Sequence, residues 1–68
     1  MSNYGRILRY MRTNANKTLE ESAKLCGHTK AWLSDIERGS RRIAFDDAMK
    51  LLYFYDADFD QLKELLRS

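Results

Sequence analysis

The chain contains no proline, one cysteine, one histidine and only three glycines among its 68 residues. Each scarcity excludes something. A lone cysteine cannot close an internal disulfide, and Cys26 with His28 falls short of the four ligands a structural zinc ion takes. The longest uncharged apolar run, residues 51–55, is far shorter than the roughly 20 residues of a membrane-spanning helix. No secretory pattern opens the chain, and an unpaired thiol suits a reducing compartment, so a cytoplasmic setting is expected. One His, one Cys and scattered carboxylates make no nucleophile–base pair at a recognisable spacing. Neither an enzyme nor a cofactor is expected, and Cys26 reads as a small, buried, apolar residue. A chain this short makes one domain, residues 1–68, burying only about 60% of its unfolded surface. Its stability must come from tight helix packing or from association with a second copy.

Charge is present and uneven. Residues 1–42 hold nine Lys/Arg against four Asp/Glu, leaving +5, whereas residues 43–68 hold three against six, leaving −3. Such a division suits a molecule with one face toward phosphates and another turned away, although a mixed solvated surface would also accommodate it.

Five helices are predicted and no strand. The first covers residues 3 or 4 to 13, with Tyr4, Ile7, Leu8 and Met11 at helical spacing. It breaks at Asn14, Ala15 and Asn16. Thr18 and Glu21 form a capping-box pattern, with the hydroxyl taking one orphan N–H and the carboxylate another. Ala23, Leu25 and Cys26 then supply small or apolar surface, and Gly27 ends this second helix. Thr29 can cap the third, where Leu33 and Ile36 form a buried stripe before Gly39 closes it. A fourth helix over residues 45–55 places Phe45, Ala48, Leu51 or Leu52, and Tyr55 inward, with Asp46 and Asp47 opposing the positive end of its dipole. A fifth begins at Asp58, with Gln61 as its box partner, and carries Phe59, Leu62, Leu65 and Leu66. Residues 18–39, two short helices around a tight turn, have the pattern of a helix-turn-helix DNA reader.

Residues 4–62 resemble the Cro/cI-type (Xre-like) helix-turn-helix family of phage and bacterial regulators. The resemblance is carried by Arg12, Thr18, Ala23, Gly27, Thr29, Leu33, Glu37 and Gly39 at the family's spacing. It is extended by the basic run Arg38, Arg41 and Arg42 and by the closing Asp60, Gln61 and Leu62. Departures are Leu19 in place of a frequent Gln, Ser22 for a core Leu, His28 for Val, Ile43 for Pro, and Ala44 at a capping position where Ser is common. The implied fold is an all-α, compact five-helix bundle of the lambda-repressor-like helix-turn-helix type.

The resemblance implies that residues 29–38 lie in the major groove of double-stranded DNA. Base-contact candidates are then Lys30, Ala31, Trp32, Ser34 and Asp35. Lys30 can donate to guanine or hold a phosphate, and Ala31 can meet a thymine methyl. Trp32 falls outside the Leu33–Ile36 stripe and so points outward against the groove, core packing being the alternative. Asp35 either accepts from a cytosine amino group or pairs with Arg38 or Lys30. Phosphate-contact candidates are Thr18, Leu19 (through its backbone), Thr29, Arg38, Ser40, Arg41 and Arg42, with Lys17 weaker. The family pairs Arg12 with Glu37 as a partly buried bridge, phosphate contact being the lesser reading for Arg12. Met49, Tyr53, Phe54, Phe59, Leu65 and Leu66 are candidates for a dimer interface, because a chain this small cannot cover them all. The implied protein is a bacterial or phage-encoded, nucleoid-associated homodimeric repressor on a palindromic operator. The alternatives are a protein-interaction module, such as an antitoxin or anti-repressor with an unknown protein partner, and a transcriptional activator or controller.

Overall fold

Four helices stop at the same kind of turn. The computed structural model describes residues 4–57 together with 60, 63 and 64. These residues form α1 (Tyr4–Asn14), α2 (Leu19–Leu25), α3 (Lys30–Glu37) and α4 (Phe45–Phe54), with no strand among them. Each helix is followed by a residue of positive φ: Asn16 at 59°, Gly27 at 73°, Gly39 at 84° and Asp56 at 53°. At each stop two amides fold back onto the last turn. Lys17 N–H reaches Arg12 C=O at 3.1 Å, His28 reaches Ala23 at 3.0 Å, Ser40 reaches Asp35 at 2.9 Å, and Ala57 reaches Leu52 at 3.0 Å. The left-handed residue donates in turn to the carbonyl three positions before it. This is the Schellman arrangement, which satisfies carbonyls a helix end would otherwise leave bare. Glycine takes the left-handed position without strain, and Asn and Asp are the side chains that tolerate it best.

The starts are less uniform. Thr18 forms a complete capping box: its hydroxyl accepts from Glu21 N–H at 3.1 Å, while its own N–H donates to Glu21 Oε1 at 2.7 Å. Thr29 accepts from Trp32 N–H at 3.3 Å. Ala44 offers α4 no side-chain cap, and Asp46 and Asp47 in the first turn are left to balance the helix dipole.

The core comprises Ile7, Leu8 and Met11 from α1, Ala23 from α2, Leu33 and Ile36 from α3, Leu51 and Leu52 from α4, and Tyr55 just beyond it. Helix α3 packs against both α1 and α2, and α4 closes on the same two helices. Ser22, where a core Leu is usual, is fully buried, and its hydroxyl donates to the Thr18 carbonyl at 2.8 Å. Its polarity is thus answered within its own helix. The Tyr55 hydroxyl is buried without a hydrogen-bond partner among the described residues. Burial pushes its pKa up to about 12, and the nearby Ser22 hydroxyl opposes the shift without completing a hydrogen bond.

Several expectations need correction. Phe45 is 80% exposed, and Tyr4 (61%) and Leu25 (45%) also face solvent. Tyr4 and Phe45 occupy first turns and Leu25 a last turn, where the helices extend past the elements that cover their middles. Four helices, and not five, stand among the described residues. Of the expected fifth, only Asp60, Lys63 and Glu64 are described, in helical conformation. Asp58, Phe59, Gln61, Leu62, Leu65 and Leu66 lie outside the described residues.

Candidate nucleic-acid interface

Helix α3 is anchored at its C-terminal end and bare at its tip. Gly5 of α1 lies against the last turn of α3, where an added Cβ would fall 2.2 Å from the Ile36 carbonyl oxygen and 2.9 Å from that of Glu37. No side chain fits there, so the two backbones meet directly. Two turns further along α1, Arg12 grips the same end: Nε donates to Glu37 Oε2 at 2.8 Å and Nη2 to Oε1 at 3.1 Å. Nη1 donates to the Lys17 carbonyl at 2.9 Å. The Glu37 side chain is only 6% exposed and that of Arg12 13%. Their hydrogen bonding raises the already high pKa of the guanidinium, against the effect of partial burial. Deleting one member of such a buried pair typically costs about 3–5 kcal/mol, because the other is left charged and alone. This guanidinium is occupied by carboxylate and carbonyl, not turned outward.

At the other end of α3, Thr29, Lys30 and Ala31 are exposed, while Ser34 and Asp35 are half-buried. An open cleft of about 460 Å³ separates this tip from the start of α2, lined by Arg12, Lys17, Thr18, Leu19, Glu20 and Lys30. The Thr18 hydroxyl accepts a cap bond there and retains its own hydrogen to donate. Lys17 is engaged elsewhere, its ammonium 4.7 Å above the centre of the Phe54 ring.

Trp32 does not point freely outward. It is half-buried, packs against the core, and stacks on the His28 ring with centroids 4.0 Å apart and planes 12° from parallel. His28 Nε2 also lies 3.6 Å from Asp47 Oδ2, linking the turn between α2 and α3 to the first turn of α4. The stripe on α3 could not reveal this, since the covering ring comes from the preceding turn. Cys26, expected to be buried, is half-buried against the core, its thiol donating to the Asp47 carbonyl at 3.8 Å. Burial, and next the Asp47 charge, raises its pKa, which favours the unreactive thiol.

Around Gly39 the exposed Arg38, Ser40, Arg41 and Arg42 form the basic loop. Arg38 and Arg41 both address Asp35, and the Ser40 hydroxyl donates to the Asp35 carbonyl at 3.1 Å. The structure therefore brings together the tip of α3 and the start of α2, with the loop arginines at the far end of the same helix. Of the residues proposed for a dimer interface, Met49 and Tyr53 are exposed, at 36% and 90%. Phe54 is half-buried under Lys17, whereas Phe59, Leu65 and Leu66 lie outside the described residues. Phe45, expected inside from the sequence, instead continues Met49 and Tyr53 at four-residue spacing into one exposed ridge along α4. Gly5, His28 and Asp47 were missed as well. A glycine inside a helix was the only available hint of the first.

A family described as the helix-turn-helix domain matches residues 3–66, nearly the whole chain. The protein therefore belongs to the helix-turn-helix family, a class of DNA-binding domain, in keeping with the Cro/cI-type resemblance. No curated protein and no solved structure matches it. No described helix is long and apolar enough to cross a membrane.

Proposed function

We propose that the protein is a sequence-specific transcriptional regulator that binds double-stranded DNA with residues 29–38 in the major groove. It acts as a homodimeric repressor in the cytoplasm, with no catalytic role. The observation that carries this reading is the bare tip of α3 opening on the cleft beside α2, with arginines flanking the other end of the same helix. Lys30 donates to a guanine edge and Ala31 admits a thymine methyl. Trp32, clasped by His28, holds the tip in place. Thr18, Leu19, Thr29, Arg38, Ser40, Arg41 and Arg42 take phosphates, which fix orientation without carrying sequence information. The ridge of Phe45, Met49 and Tyr53 joins two copies about a twofold axis, setting two α3 tips about 34 Å apart along a palindrome.

Selection from random duplexes tests this. Enrichment of a palindrome, with loss of preference in Lys30→Ala, is the expected result; no enrichment at low salt overturns it. The same ridge favours a second reading, a module that holds a protein partner. Salt separates the two, since each phosphate neutralised contributes about 0.9 to the log–log slope of DNA binding.

A further inference from the structure

Of the two carboxylates on α3, Glu37 is turned inward to Arg12 and Asp35 outward to the basic loop. Arg38 Nη2 donates to Asp35 Oδ1, and Arg41 Nε stands 4.0 Å from Oδ2. Meanwhile Ser40 N–H and Oγ both bind the Asp35 backbone carbonyl, at 2.9 and 3.1 Å. Two of the three loop arginines thus share one carboxylate, on a loop pinned by that residue's own backbone. With side chains 69% and 54% exposed on the arginines, these pairs add little to folding. Their effect falls on an arriving polyanion. A phosphate arriving at Arg38 and Arg41 competes with Asp35 for their charge, and the carboxylate stands close to it as a like charge. On DNA of arbitrary sequence nothing offsets that repulsion. Where α3 meets a cytosine, the N4 amino group offers the carboxylate a donor.

Building on the DNA interface above, we propose that Asp35 is a specificity-determining residue. It withholds Arg38 and Arg41 from arbitrary duplexes and releases them where a cytosine amino group receives its carboxylate. The readout of one base and the phosphate grip of two arginines become a single event.

The test compares wild-type protein with Asp35→Asn on a mixed-sequence duplex and on the wild type's best selected duplex, across a salt series. Asn keeps the shape and the backbone carbonyl that holds Ser40, so the melting temperature should be unchanged. Affinity for the mixed-sequence duplex should rise severalfold, with a log–log salt slope steeper by up to about 0.9. Preference for the selected duplex should fall by about tenfold, with a G·C position in it no longer selected by the variant. If wild type discriminates and Asp35→Asn matches it in slope and site preference, the interface stands and this inference fails. Weaker binding of the variant to mixed-sequence DNA also overturns it, because Asp35 would then be presenting the arginines to phosphate. Wild-type protein that binds neither duplex removes the interface itself.

Discussion

Tyr55 is the residue at which the core is least satisfied. Its hydroxyl is buried with no partner among the described residues, and its pKa is pushed up to about 12. The sign of the linkage follows directly: the folded state holds the neutral phenol more tightly than the unfolded chain does. This stabilisation is complete below the ordinary phenol value of about 10 and is lost as pH rises from there toward 12. Tyr55→Phe should remove that part of the alkaline loss. At pH 7 it should match or exceed wild type by about 1 kcal/mol, since deleting an orphaned buried hydroxyl relieves its desolvation. Thermal melts of both proteins from neutral to alkaline pH read the difference. A variant less stable at pH 7 would show that the hydroxyl has a partner in solution.

Among α2, α3 and α4, only α4 starts without a side-chain cap. Ala44 already has the extended backbone of a capping residue, φ −68° and ψ 150°, but no acceptor on its side chain. Ala44→Ser should therefore stabilise the fold by about 1 kcal/mol, read as a higher denaturant midpoint at unchanged slope; an unmoved midpoint would refute the account. Gly5→Ala should act in the opposite direction, by at least about 1–3 kcal/mol, because the new methyl overlaps the α3 carbonyls and the two helices must move apart. Element boundaries were legible wherever the chemistry is local. Thr18 with Glu21, Thr29, Gly27 and Gly39 each act within a few residues of themselves, so they could be read without a fold. Asp56 carries no glycine signal, yet it takes the same left-handed turn. Which side chains are covered was harder. Periodicity finds the inner face of α4 but not where its cover ends, so Phe45 was placed inside. The His28–Trp32 stack joins a turn to a helix, and no single period spans both.

At the scale of the whole molecule, the exposed ridge on α4 lies in the acidic half of the sequence and runs away from the basic loop along α4, starting three residues after Arg42. Phe45 and Tyr53 are 80% and 90% exposed, so replacing both with Glu should leave helicity intact. The sedimentation coefficient should fall to that of a monomer, whereas an unaltered value would take the ridge out of the interface. The attachment of α3 has a further consequence. The two backbone and ionic contacts that fasten this helix to α1 — the bare backbone at Gly5, the Arg12 fork on Glu37 — grip its tail. Lys30 and Ala31, at the opposite end, bear no load in the architecture. New residues can be written at those two positions while the scaffold behind them stays as it is, so relatives could acquire different targets without having to learn to fold again.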